Sequence, residues 1–178
     1  MGAQIAAHLA NAGLQVHLLD VTPESIGREG DPNDLVEKGF KQARKASPDP
    51  FFSDDAAGRI TLGNFDHDFG RIAEVDWVIE AVVERMDVKR DVHARIEDTA
   101  APDTVISTNT SGLPIQEIAK ERSTGFNRRL LGTHFFNPPR YLKLLAIIPT
   151  LAPDPPTVAR VAQLARLRLG EGIGVANV

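Results

Sequence analysis

The stretch Val75-Asp76-Trp77-Val78-Ile79-Glu80-Ala81-Val82-Val83 constrains the chain most. It is a nearly continuous apolar run of strand-forming residues. A strand that is half exposed alternates apolar and polar side chains, whereas a strand buried on both faces does not need to. Such strands belong to parallel sheets covered by helices, so the run predicts an α/β fold. The rest of the chain keeps that rhythm. Residues 2 to 12 place Ile5, Leu9 and the alanines Ala3, Ala6 and Ala10 at helical spacing. Gly13 suits the left-handed residue that closes a helix. Gln15 to Asp20 reads as a short strand ending in an acid.

Val21 to Gly30 is a polar connection. Asn33 to Lys45 predicts a helix with Leu35, Val36, Phe40 and Ala43 on one face and Lys38, Lys41, Arg44 and Lys45 opposite. Ser47 to Gly58 reads as a loop with a helical turn, and Arg59 to Leu62 as a short strand. Helices are predicted for Val88–Thr99, Ile115–Lys120 and Pro155–Leu169, the last opened by prolines where they are tolerated. Strands are predicted for Thr104–Thr108, Leu130–Phe135 and Lys143–Ile148, with a last turn and strand in Gly170–Val178. No repeat and no internal domain boundary interrupts this series.

Composition narrows the function. Twenty basic residues against 24 acidic ones give a net charge of -4, so no basic surplus calls for a nucleic-acid backbone. With no cysteine there is no disulfide framework, thiolate metal site or cysteine nucleophile, which suits a cytoplasmic location. The longest apolar runs, such as Leu144 to Ile148, are too short to span a bilayer.

Four constellations carry chemistry. Gly2, before a helix, and Asp20, eighteen residues later at a strand end, match part of a dinucleotide-binding βαβ unit. There, glycines admit a pyrophosphate to a helix N-terminus and an acid about 20 residues on binds the ribose hydroxyls. Asp20 equally suits a plain strand-to-loop turn. Glu80 and Glu84 with Lys89 lie where ligands meet the carboxyl ends of parallel strands, or where acids favour a helix N-terminus. The hydroxyl run Ser107 to Ser111 can bind polar substrate atoms or cap a helix. His134, at the end of an apolar strand before Asn137-Pro138-Pro139, is a candidate general base or a packed structural histidine.

Taken together and in order, Glu80-Ala-Val-Val-Glu84…Lys89, Ser107-Thr-Asn-Thr-Ser111-Gly and Gly132-Thr-His134-Phe-Phe-Asn137-Pro-Pro resemble the NAD-binding domain of L-3-hydroxyacyl-CoA dehydrogenases. The versions in multifunctional fatty-acid β-oxidation proteins are most similar, and the likeness spans the whole chain, residues 1–178, as one NAD-binding domain. The resemblance implies a Rossmann-type doubly wound, mostly parallel sheet. It implies oxidation of (3S)-3-hydroxyacyl-CoA to 3-oxoacyl-CoA with hydride transfer to NAD. His134 matches the general base, and Ser111 the hydroxyl that bonds the substrate oxygen beside the nicotinamide. Asn137 matches a residue lining the nicotinamide end, Asp20 the ribose acid, Gly2 the last phosphate-loop glycine, and Glu84 and Lys89 cofactor-side contacts. Lys38, Lys41 and Lys45 lie where the family meets CoA, and suit a solvated face as well. The implied partners are an acyl-CoA substrate and, at full length, a second copy or the other parts of a multifunctional protein.

The sequence departs from the family in three ways. The family pairs its histidine with a glutamate twelve residues later, and that position here is Ala146. A carboxylate there fixes the imidazole tautomer and stabilises the imidazolium, as the acid of a Ser-His-Asp triad does. Next, the first strand, central to the sheet, and the first two glycines are expected upstream of residue 1. Last, the family's helical C-terminal domain is expected beyond residue 178. Slow turnover and weak NAD binding follow as expectations. The rival expectation is a catalytically degenerate NAD- and acyl-CoA-binding module. Other Rossmann dehydrogenases of the β-hydroxyacid or sugar-acid type lack the His-Phe-Phe-Asn-Pro run.

Overall fold

The computed structural model describes residues 1–142, 144–150 and 154–166, and residues 172–175 as a strand. The chain divides into two compact units, residues 1–71 with 137–142, and residues 72–136 with 143–178.

In the first unit, α1 (Gly2–Asn11) buries Ile5, Ala6, Leu9 and Ala10, the stripe its spacing predicts. Gly13 follows with φ +86°, and the Leu14 amide returns to the Leu9 carbonyl at 3.2 Å. That left-handed turn, which glycine adopts without strain, directs the chain into β1 (Val16–Asp20). Helix α2 (Asp34–Arg44) comes next, then α3 (Asp54–Ala57), whose cap Ser53 accepts the Ala56 amide. Strand β2 (Ile60–Asn64) pairs parallel with β1, Val16 opposite Ile60 and Asp20 opposite Asn64. Ala7, Phe51, Ala56 and Ala57 form the core, with Phe40 and Ile60 packed against it. Residues 137–142 join this unit through Arg140, which donates to the carbonyl oxygens of Asp49 and Phe51 and lies 4.2 Å from the centre of the Phe52 ring.

The second unit runs β3 (Trp77–Glu80), α4 (Met86–Thr99), β4 (Val105–Thr108), α5 (Ile115–Ala119), α6 (Thr124–Arg129), β5 (Leu130–Phe135), β6 (Leu144–Pro149), α7 (Pro155–Leu164) and β7 (Gly172–Val175). The strands form one sheet in chain order, parallel throughout except that β5 and β6 are antiparallel. Ile106, Leu130, Leu131, Leu145 and Ile147 are wholly buried in it, with Ile96, Ile118 and Phe126 of the helices. Burial of this kind on β4 and β5 is what apolar parallel strands require. The strands thus form two sheets, β1 with β2 in the first unit and β3 to β7 in the second.

Two elements differ from the sequence reading. The apolar run from Val75 pairs only over Trp77–Glu80, and Val83 is 62% exposed. The cause is Glu80: its Oε1 accepts the Val82 amide at 2.7 Å, which turns the backbone out of the ladder. Helix α6 was not foreseen. Its signal is Ser123, whose Oγ accepts the Phe126 amide, with Phe126 buried one turn in. The last residues expected in the helix from Pro155, and most of Gly170–Val178, lie outside the described residues.

Candidate active site

The carboxyl ends of β3, β4 and β5 lie side by side, with Glu80 opposite Thr108 and Thr108 opposite Gly132. Ligands of open parallel sheets bind outside such ends. Glu80 is buried there: Oε1 accepts Lys89 Nζ at 2.8 Å and Oε2 accepts the Thr108 hydroxyl at 2.7 Å. Lys89, on α4, is only 1% exposed, and its Nζ also lies 3.4 Å from Glu84 Oε2.

Glu84 holds the loop after β4. Its Oε1 accepts the Thr110 hydroxyl and the amides of Ser111 at 3.1 Å and Gly112 at 3.0 Å. Partial burial pushes this carboxyl up, but the Thr110, Gly112 and Ser111 donors and the Lys89 charge outweigh it and bring the pKa to about 2. Glu84 is therefore ionised at neutral pH. Ser111 itself is exposed.

His134 stands near the end of β5. Gly132, two residues earlier, lets the strands close up, since a Cβ there would meet Ile115 Cδ1 at 2.5 Å and Ile148 Cβ at 2.9 Å. The Phe136 and His134 rings pack nearly perpendicular, with centroids 5.1 Å apart. His134 Nδ1 is buried and has no hydrogen-bond partner among the described residues. Directly across the antiparallel ladder stands Ala146, and across the next ladder from Ala146 stands Gly174. Paired residues of an antiparallel ladder project to the same face. The position where an orienting carboxylate is expected thus faces His134 and carries a methyl group.

The structure brings Glu84, Lys89 and the Ser111 loop into direct contact. His134 joins them through its neighbour, because Asn109 Oδ1 accepts the Phe135 amide at 3.0 Å. The other predicted residues fall in the first unit. Gly2 opens α1, with the Gln4 and Ile5 amides returning to the Met1 carbonyl. Asp20 is exposed at the carboxyl end of β1, where its Oδ1 accepts the Val21 amide at 2.8 Å. Asn137 is exposed, before Pro138. Lys38, Lys41 and Lys45 line a groove of about 510 Å³ with Arg28, Asp34 and Glu37. Lys41 is paired with Glu37 at 2.6 Å, and that hydrogen bond holds its pKa above the ordinary value.

The sequence places Glu80 with Glu84 and Lys89 at a ligand-bearing strand end or helix start, but not as the buried partner of Lys89, and it assigns no role to Asn109. A readable signal existed for Glu80: an acid that ends an apolar strand, with a lysine nine positions on. For Asn109 there was none, because its partner amide lies 26 positions away. Among the described residues no cluster of side chains could hold a metal ion, and no helix is long and apolar enough to cross a membrane.

The sequence pattern of the 3-hydroxyacyl-CoA dehydrogenase NAD-binding domain matches residues 1–174. The chain belongs to this family. Among 3-hydroxyacyl-CoA dehydrogenase relatives, the Deinococcus radiodurans protein named "Probable 3-hydroxyacyl-CoA dehydrogenase" is 44% identical over 99% of this chain, which spans 50% of that protein. A Bacillus subtilis protein of the same name is 38% identical over 99% of the chain, which spans 24% of it. The solved structure of M. tuberculosis FadB2 superposes with a TM-score of 0.78 at 29% identity, over 99% of this chain and 60% of that one. The Rossmann-like fold expected of the family is thereby established, and its NAD-binding domain is the part this chain represents. The chain spans about half the length, or less, of the curated relatives it matches.

Proposed function

We propose that the protein oxidises (3S)-3-hydroxyacyl-CoA to 3-oxoacyl-CoA with NAD, using His134 as general base and Ser111 as the hydroxyl that holds the substrate oxygen. One observation carries the reading. In a chain matched by the family over residues 1–174, His134 and the Ser111 loop stand at the carboxyl ends of neighbouring strands.

The residues present fit NAD. Asp20 offers an exposed carboxylate at a strand end, suited to the paired hydroxyls of a ribose. Gly2 at the start of α1 adds backbone donors for a phosphate. Asn137 lines the nicotinamide end, and Glu84 is the cofactor-side carboxylate. NAD, when bound, accepts the hydride. His134 removes the hydroxyl proton, and Ser111 donates to the same oxygen to keep it in line. Lys38, Lys41 and Lys45 receive the anionic part of CoA. Residues 1–178 act as one NAD-binding domain, in a cytoplasmic protein that works as a homo-oligomer or within a multifunctional β-oxidation protein.

General-base catalysis contributes about 10²–10⁴-fold. With Ala146 in place of an orienting acid, the His134 ring lacks the partner that would fix its tautomer. The test follows NADH consumption with acetoacetyl-CoA. Ala146→Glu is expected to raise the rate, and His134→Gln in that background to abolish the gain. A His134→Gln variant as active as its parent would overturn the reading. A protein that binds NAD and acyl-CoA in every variant without turnover would be a binding module instead.

A further inference from the structure

Lys89 carries a buried charge that is shared between two carboxylates of the protein itself. An unpaired ammonium in that position would be very costly, and breaking a buried pair by removing one partner is strongly destabilising. Two carboxylates share it, Glu80 Oε1 at 2.8 Å and Glu84 Oε2 at 3.4 Å. Each carboxylate supports a separate arm. The Glu84 arm gathers the Thr110 hydroxyl and the Ser111 and Gly112 amides, and so places Ser111. The Glu80 arm runs further. Its carboxylate takes the Thr108 hydroxyl, and its backbone carbonyl takes the Asn109 amide at 2.8 Å. Asn109 then uses Oδ1 to hold the amide of Phe135, the residue after His134.

We propose that Lys89 is a positioning residue that locks the Ser111 loop and the His134 strand end into one geometry, with Asn109 as the link that reaches His134. The buried ammonium fixes both carboxylates; the Glu84 carboxylate holds the Ser111 loop, and Glu80 holds the end of β4 through the Thr108 hydroxyl on its carboxylate and the Asn109 amide on its backbone carbonyl. Satisfied buried networks of this kind specify a single arrangement. The proposal rests on the reading of Ser111 and His134 as partners in catalysis, but the positioning itself is measurable without turnover.

The experiment compares variants of the full chain by amide hydrogen exchange and by the imidazole NMR signals of His134. Glu84→Ala lowers protection at the Ser111 and Gly112 amides and leaves Phe135 and His134 at parent values. Asn109→Ala lowers protection at the Phe135 amide roughly tenfold, the worth of one hydrogen bond, and shifts the His134 signals. Asn109→Asp, which keeps an acceptor oxygen, restores them. Lys89→Met releases both arms at once. Should Lys89→Met not fold, Lys89→Arg, which keeps the charge and changes its reach, is read by the same criteria. Either Lys89 variant leaving one arm at parent protection would overturn the proposal, and so would Asn109→Ala with unmoved His134 signals. Acetoacetyl-CoA reduction by the same variants separates the two readings. Shifted arms with unchanged rates would overturn the role of Ser111 and His134, and changed rates without shifted arms would overturn the positioning.

Discussion

Ser111 and His134 stand on adjacent strand ends and are held in different ways. The Ser111 loop is tied to an ionised carboxylate by two backbone amides and a hydroxyl. His134 is held by the β5–β6 ladder, the Phe136 ring and its neighbour's amide, while its own Nδ1 is buried opposite Ala146 with no hydrogen-bond partner among the described residues. One half of the pair has both its backbone and its charge environment fixed. The other has a fixed backbone and a buried ring nitrogen with no hydrogen-bond partner among the described residues. Placing a histidine at a strand end is therefore separable from orienting its ring, and the structure supplies the first without a hydrogen bond to Nδ1 among the described residues.

The largest expected effect removes that difference. Ala146→Glu puts a carboxylate across the ladder from His134 and should raise the rate of acetoacetyl-CoA reduction by about 10²–10⁴-fold. An unchanged rate would mean that the ring is already oriented. Next comes the opposite change, to the well-held side. Lys89→Met leaves Glu80 buried without its counter-ion and should cost about 3–5 kcal/mol in a denaturant titration. A loss below about 1 kcal/mol would show that the pair contributes little to stability. Asp20→Ala should then weaken NAD binding roughly tenfold by calorimetry, as the loss of hydrogen bonds to a charged acceptor implies.

The smallest effect is in the acid limb. The Glu84 pKa is lowered in the folded state to about 2, from the ordinary 4.5. Its contribution to stability is therefore complete above about pH 4.5 and is lost as the pH falls toward 2. Glu84 is 42% exposed, so solvent screening keeps this contribution modest. Glu84→Gln should flatten stability against pH in that window only, as melting temperatures would show.

Much of the fold was legible because the local signals agree with the tertiary result. The alanine-rich stripe of α1, the left-handed Gly13 and the apolar strands around Ile106 and Leu131 each point to an α/β chain. The end of β3 was not legible. Ala81, Val82 and Val83 have strand propensity, and a single side-chain bond from Glu80 overrides it. Of the site, Ser111, Glu84, Lys89 and His134 were readable as motif residues. The sharing of Lys89 and the reach of Asn109 were not, because both depend on which strands become neighbours. The facing of His134 and Ala146 sits between the two cases. Their spacing was visible in the sequence, but its consequence depends on the antiparallel register of β5 and β6.

The most direct test of the central claim is the ¹⁵N NMR spectrum of the His134 ring at neutral pH, in the parent chain and in Ala146→Glu. The parent should show nitrogen shifts averaged between the two neutral tautomers, and Ala146→Glu should show one dominant tautomer protonated at Nδ1. A parent ring already fixed in that tautomer, with no change on substitution, would contradict the claim that His134 is placed but not oriented.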